Sequence, residues 1–376
     1  MKSVGIYVHF PFCASKCKYC NFNSTADLND MQLDYFHALL REIKMYGNTK
    51  KSVDTIFIGG GTPSIMFDGC ITTLLSEIRK NFCIEPDAEI TIEANPNSVT
   101  VAKAQEWSMA GVNRVSIGLQ TSNPNVLKLI GRVHTTKDYI NAVEMVRNAG
   151  ISNINTDILV GLPRQKMSHL KHTLKLITKL QCSHISVYSL ILEEDTPLYQ
   201  MVTHNEVKLP SEEKAVTMYN FAYRYLKDNG YTRYEVSNFA KKTYECKHNL
   251  HTWQLGEYLG FGAGAHGYLD GTRYNNYSNI HKYIEEINSN KKPIELSEKI
   301  SRQESFEEYV MLGLRTKYGI DTDDIKLRFK IDLLKDKKET INSLLSNGLI
   351  NLVYNRIIAT DSGFQVLNRI ILDLVS

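Results

Sequence analysis

Tryptophan, proline and cysteine are scarce in this chain: 376 residues hold two Trp, nine Pro and seven Cys. So few cysteines, in odd number, exclude the disulfide framework on which small secreted domains depend. Charge of one sign is lacking as well. The formal net charge is +3, and acidic and basic residues are mixed throughout, so there is neither a broad basic face for nucleic acid nor an acidic tail. No stretch approaches the roughly eighteen apolar residues of a membrane span. The amino terminus, Met1-Lys2-Ser3-Val4-Gly5-Ile6-Tyr7-Val8, reads as a strand, without the long apolar segment and cleavage site of a secretory signal. A cytoplasmic, thiol-reducing setting and a small-molecule partner are expected, with no nucleic acid and no integral membrane segment.

Three of the few cysteines stand together in Phe12-Cys13-Ala14-Ser15-Lys16-Cys17-Lys18-Tyr19-Cys20, spaced C-x3-C-x2-C. Three thiolates from one tight loop can hold three corners of a 4Fe-4S cluster, whereas a cluster that only carries electrons usually takes four cysteines. A missing fourth ligand leaves one iron open to a small molecule. Structural zinc prefers four ligands, and Cys70, Cys83, Cys182 and Cys246 form no second pair. His9, on the strand before the loop, reads as a hydrogen-bonded packing residue rather than a ligand.

At 42.9 kDa the chain exceeds one ordinary core and suits a large domain with a smaller appendage. Six apolar, β-branched runs recur: Gly5 to His9, Val53 to Ile58, Glu89 to Glu93, Arg114 to Leu119, Asn155 to Val160 and His184 to Leu190. Amphipathic stretches lie between them, at Met31 to Met45, Ile71 to Lys80, Val101 to Ala110, Lys137 to Ala149 and Ser168 to Leu180. Such alternation implies an α/β protein with parallel strands and right-handed crossovers, and chemistry beyond the strands' carboxyl ends. The rhythm changes near Ser211. Division into 1–230, a connecting or capping region 231–300, and a mainly helical, winged-helix-like domain 301–376 is expected. That last part holds eleven Lys plus Arg against eleven Asp plus Glu, which gives no footprint for DNA.

Polar residues mark the strand ends. Gly59-Gly60-Gly61-Thr62-Pro63 follows the second run and lets backbone approach a ligand, exposing its carbonyls and amides. It has neither the Lys-Ser/Thr of a phosphate loop nor a dinucleotide fingerprint. Ile92-Glu93-Ala94-Asn95-Pro96, Gly118-Leu119-Gln120 and Asp157 before Gly161-Leu162-Pro163 close the next three runs. Singly, each polar residue is as well explained by capping or buried hydrogen bonding as by function. Together with Ile130-Gly131-Arg132 and Phe261-Gly262-Ala263-Gly264-Ala265-His266, they make nearly the whole chain resemble the oxygen-independent coproporphyrinogen oxidases and their relatives, within the radical S-adenosylmethionine (SAM) superfamily. The resemblance implies a partial (β/α)6 barrel. It also implies a 4Fe-4S cluster on Cys13, Cys17 and Cys20 and SAM contacts from Tyr7, Tyr19, Gly60, Gly61, Thr62, Glu93, Gln120, Arg132 and Asp157.

Two departures point away from the oxidases. They look to need a further cysteine two residues beyond the third, where this chain has Phe22, and a longer segment before the loop. The resemblance is closer to a sister group of haem chaperones with an HNxxYW motif, matched by His248-Asn249-Leu250-His251-Thr252-Trp253 with Thr in place of Tyr. Haem iron accepts histidine or cysteine. His248 is thus the candidate haem ligand, with Cys246 and His266 as lesser candidates and Trp253 as a stacking surface. The implied function is to bind haem and pass it to acceptor apoproteins, without coproporphyrinogen oxidase activity. The alternative is oxidative decarboxylation of coproporphyrinogen III to protoporphyrinogen IX. Catalytic residues, acceptor and oligomeric state stay open.

Overall fold

The six β-branched runs become six parallel strands, paired in chain order: β1 (Val4–Phe10), β2 (Ser52–Gly60), β3 (Cys83–Ala94), β4 (Arg114–Gln120), β5 (Asn153–Val160) and β6 (His184–Ser189). The structure is a computed structural model that describes residues 3–47, 49 and 51–376. Side chains alternate between two faces of a strand. Val4, Ile6, Val8 and Phe10 of β1 enter the main core, as do Val115, Ile117 and Leu119 of β4. Tyr7 and His9, and likewise Arg114, Ser116 and Gln120, face cavities inside the curved sheet. Parallel strands covered on both sides usually read as continuous apolar runs. Here one face is polar because it lines open space.

The helices that cover the outer face follow their strands: Gln32–Met45, Cys70–Asn81, Val101–Ala110, Thr136–Asn148 and Met167–Lys179. Their starts are set by side-chain caps. Thr100 accepts from the Lys103 amide, and Thr135 accepts from Asp138, whose carboxylate answers it in a capping box. The first helix begins later than its periodicity predicts, because Asn29–Met31 is wound as a 3-10 turn.

The stretch read as a connecting layer carries sheet that its glycine- and tyrosine-rich sequence hides. β7 (Thr232–Arg233) and β8 (Asn238–Ala240) extend the sheet antiparallel beyond β6. On the opposite edge β9 (Tyr258–Phe261) lies parallel to β1, followed by antiparallel β10 (His266–Leu269), β11 (Thr272–Asn276) and β12 (Ile294–Lys299). The result is one sheet of twelve strands. Residues beyond 301 gather round a second core that includes Phe306, Val310, Ile325, Ile357 and Ile370. There β13 (Ile320–Asp321) pairs with the hairpin β14 (Ile350–Val353) and β15 (Arg356–Ala359), among helices ending with Leu367–Val375. No helix among the described residues is long and apolar enough to cross a membrane.

One buried carboxylate ties β9 and β11 to the first helix. Glu42, fully buried, accepts from Tyr283 Oη at 2.6 Å, the Gly262 amide at 2.7 Å and Asn276 Nδ2 at 2.6 Å. Nearby, Tyr35 Oη donates to the His9 carbonyl at 2.7 Å and accepts from the Ala263 amide at 2.9 Å. Burial pushes the Glu42 carboxyl up from 4.5 to about 7. Its protonated form therefore favours the fold below the unfolded value, and that contribution is lost as pH rises through about 7. Replacing Glu42 with Ala leaves three buried donors unpaired and is expected to cost about 3 kcal/mol in urea unfolding. Across pH 5 to 8 the wild type should lose stability relative to Glu42→Gln.

Candidate cluster and cofactor site

The cysteine loop is clamped from three directions. The Cys13 amide donates to the Thr25 carbonyl and the Thr25 amide to Pro11, both at 2.8 Å. The Lys18 amide reaches the Ile130 carbonyl at 3.0 Å, and the Lys18 carbonyl takes the Leu198 amide at 2.8 Å. Lys16 Nζ spans the loop to the carbonyls of Phe22 and Ser24. All three cysteines are free thiols and line one cavity at the mouth of the barrel.

The sulfurs already accept hydrogen bonds. Thr62 Oγ1 lies 3.4 Å from Cys13 Sγ, and Arg132 Nη1 lies 3.5 Å from Cys17 Sγ. Burial pushes the Cys13 and Cys20 thiols up, and charge on the neighbouring cysteines adds to the shift. Coordinated iron reverses that preference, since a bound cation deprotonates a ligating thiol. Among the described residues no three His, Cys, Asp or Glu side chains close round a single ion. A cubane has no such need, because its cysteines bind different irons. Three free thiols on one wall, two of them facing donors, fit three ligands of a 4Fe-4S cluster.

The opposite wall comes from the ends of β2 to β5. Glu93 accepts from the Gly60 amide at 3.1 Å, and burial with the nearby charge of Asp157 raises it to about 7. Asp157 accepts from Ser116 Oγ at 2.9 Å and Asn155 Nδ2 at 2.7 Å. Gln120 has φ 65°, a left-handed conformation uncommon outside glycine, at the irregularity that ends β4. Arg132 Nη2 donates to the Gly118 carbonyl at 2.5 Å, while its buried Nε has no partner. Tyr19, Gly60, Gly61, Thr62, Glu93, Gln120, Arg132 and Asp157 all line the cavity of the cysteines. Tyr7 does not. It lines an adjoining cavity of about 590 Å³, which shares Phe22, Gly60 and Glu93 with the first.

Two expectations need correction. The amides of the glycine run are not offered to a ligand: Gly60 N is held by Glu93, Gly61 N by the Phe10 carbonyl at 2.7 Å, and Thr62 N by the Phe12 carbonyl at 2.8 Å. Glycine is required there by close packing. A Cβ on Gly60, whose φ is 111°, would meet the His9 ring at 2.6 Å. Cys246 is also no ligand. It is fully buried, donates from Sγ to Glu89 at 3.2 Å, and packs with Tyr234 and Ala240.

His9 is the packing residue its strand position predicts. Nε2 donates to the Asn23 carbonyl at 2.8 Å, so Nδ1 of the neutral ring accepts from Tyr7 Oη at 2.9 Å. His248 and His266 both line the 590 Å³ cavity. His248 bonds Thr55 Oγ1 through Nδ1 at 2.9 Å and lies against the Phe57 ring. Burial lowers it to about 3. His251 is committed at both nitrogens, to Asp54 at 3.3 Å and to the Glu257 carbonyl at 2.7 Å. Trp253 lines none of these cavities, whereas Thr252 does. Sequence reasoning missed Arg114, which lines a third cavity of about 620 Å³. Its signal was a cation opening an otherwise buried run.

Three free cysteines facing a wall of strand-end carboxylates define the class. Residues 7–177 match the radical SAM superfamily, and residues 300–366 match the HemN C-terminal domain. The solved coproporphyrinogen III oxidase (HemN) of Escherichia coli shares the fold, with a TM-score of 0.87 at 22% identity over 100% of this chain and 90% of that one. Within the class the chain belongs to the HemW haem-chaperone family. It is 36% identical to the haem chaperone HemW of Lactococcus lactis over 98% of this chain and 96% of that one. Identity to HemW of Bacillus subtilis is 35%, over 98% of each chain.

The glycine turn is directly testable. A methyl on Gly61 would lie 2.6 Å from the Phe12 carbonyl oxygen and 2.9 Å from its amide nitrogen, where only backbone movement can make room. Gly61→Ala is expected to cost about 2 kcal/mol by thermal unfolding and to lower iron uptake, because Phe12 leads directly into Cys13.

Proposed function

We propose that this protein binds haem and passes it to acceptor apoproteins, and that a 4Fe-4S cluster on Cys13, Cys17 and Cys20, together with SAM, governs that traffic. The observation that carries this reading is the likeness to haem chaperones over almost the entire chain. The geometry supports it, since the cysteine cavity adjoins the one lined by His248 and His266. The likeness to HemN is compatible with the oxidase but less specific, since at 22% identity it speaks for the fold alone. The position of the oxidase's additional cysteine is held by Phe22, which is exposed at the mouth.

When bound, a cluster one protein ligand short supplies an iron for the amino and carboxylate groups of SAM. The chain's own residues do the rest. Tyr19, Gly60, Gly61, Thr62 and Gln120 shape the SAM pocket. Glu93 would accept from the ribose hydroxyls, Asp157 and Arg132 would set the charge of the pocket, and Tyr7 holds the His9 ring that packs against Gly60. For haem, His248 would supply the protein ligand to iron. Nδ1 is turned to Thr55, which leaves Nε2 for iron, and burial keeps the ring neutral as ligation requires. Residues 1–230, 231–300 and 301–376 act as barrel, capping region and appended domain.

Anaerobic reconstitution tests the ligand assignment. Cys17→Ala should abolish the cluster, while Cys83→Ala, exposed at the start of β3, should leave iron and sulfide content at the wild-type level. Full iron content in Cys17→Ala would remove that thiolate from the ligand set. Haem loading tests the rest. Soret absorbance retained through gel filtration, and its transfer to an apo-haemoprotein, are expected. His248→Ala should weaken retention about tenfold or more, the loss of one charge-neutral ligand bond, without changing cluster assembly. Equal retention would exclude it as the ligand.

A further inference from the structure

Arg114 is a buried charge that the cysteine site does not use. It opens β4, is 2% exposed, and its buried Nε has no hydrogen-bond partner. Glu89 and Asp157 balance its charge from nearby without hydrogen-bonding it, and Thr91 Oγ1, its register partner on β3, is unbonded as well. Glu89 takes the Cys246 thiol at 3.2 Å and the amides of Lys247 at 3.0 Å and His248 at 3.1 Å. Asp157 accepts from Ser116 and Asn155, while the Tyr234 hydroxyl donates to His184 Nε2 at 2.8 Å, because Nδ1 gives its proton to Asn155 Oδ1, and accepts the Cys246 amide at 3.2 Å. A buried guanidinium without a paired acceptor is costly.

What it faces is a cavity of about 620 Å³, within the size of a pocket for one organic ligand. Arg114 is the one cation among its described lining residues, with Ser116 and Asn155 as further polar lining. Phe57 lies at the level of Arg114, two strands away, and Phe22, Leu159, Leu190 and Ile191 add apolar surface, with Ile191 71% exposed and the carboxylate of Glu193 also on the lining. Glu93 and Asp157 stand between this space and the cysteine cavity, lining both. An apolar body with a carboxylate on a short arm matches this arrangement, since guanidinium pairs with carboxylate in a two-bond fork.

We propose that Arg114 anchors a propionate carboxylate of the haem cargo, with the macrocycle edge held against the apolar residues of this cavity. The inference rests on the haem reading above and adds the group that orients the cargo. SAM, the other carboxylate in play, is assigned to the cysteine side, so the two sources separate experimentally.

The test compares haem with haem dimethyl ester, whose propionates carry no charge, by Soret titration of the full-length protein. The wild type should bind haem about tenfold or more tighter than the diester, as expected for a charge-assisted hydrogen bond. Arg114→Met should bring the two affinities together, and Arg114→Lys should keep part of the preference, with cluster content and SAM affinity at wild-type levels in both. Equal wild-type affinity for haem and diester overturns the anchor while leaving haem binding in place. So does a full preference retained in Arg114→Met, or a loss confined to SAM. If Arg114→Met does not fold, the wild-type ratio and the Lys variant decide. Failure of the wild type to bind either porphyrin overturns the haem reading itself, and the anchor with it.

Discussion

Two backbone hydrogen bonds, from Gly61 to the Phe10 carbonyl and from Thr62 to the Phe12 carbonyl, fasten the end of β1 to the turn that leaves β2. The cysteine loop begins one residue beyond Phe12, so these bonds set where the thiols stand relative to the strand ends. Glycine is the price of that closeness, since a side chain at either Gly60 or Gly61 would overlap His9 or Phe12. The same turn hands Thr62 to Cys13 and the Gly60 amide to Glu93. The wall of cysteines and the wall of strand-end carboxylates are therefore positioned by one piece of backbone.

Around that junction the barrel trades stability for a polar interior. Its strands bury apolar side chains on the outer face and leave charged and amide groups inward. Most of the inward groups are paired. His184, fully buried, bonds Asn155 at 2.6 Å and Tyr234 at 2.8 Å, and Asn155 links onward to Ser116 and Asp157. Satisfied networks of this kind rigidify a site and keep it hydrated only where a ligand belongs. The exceptions include Thr91 Oγ1, Glu235 Oε1 and Asn238 Oδ1, and two of them are cations, Arg132 Nε beside the thiols and Arg114 Nε deeper in. On the far side, Glu42 and Tyr35 fix the loop that leads from β9 to β10, and so hold His266 at the cavity next to Tyr7 and His248.

The six central strands were legible because each is a run of β-branched and aliphatic residues followed by an amphipathic helix. β9 to β12 were not, because residues such as Tyr258-Leu259-Gly260-Phe261 become strand by pairing with distant partners rather than by local preference. The three cysteines announced themselves by spacing, and the strand-end residues by resemblance. Spacing could not show that the glycine amides are consumed internally, nor that Cys246 is sealed beneath Glu89 while His248, two residues on, reaches a cavity. The start of the short helix Lys247–Trp253, for which Cys246 is the N-cap, separates those fates by turning successive residues to different sides. Arg114 escaped notice because a cation at a strand start ordinarily faces water, and only the curvature of the sheet turns it inward.

The proposed chemistry depends on an iron that no protein side chain would complete. Electron paramagnetic resonance of the reduced, reconstituted wild-type protein, recorded with and without SAM, reads that iron most directly. A four-iron cluster whose spectrum shifts when SAM is added is the expected result. A spectrum indifferent to SAM, from a cluster already carrying four protein ligands, would contradict it.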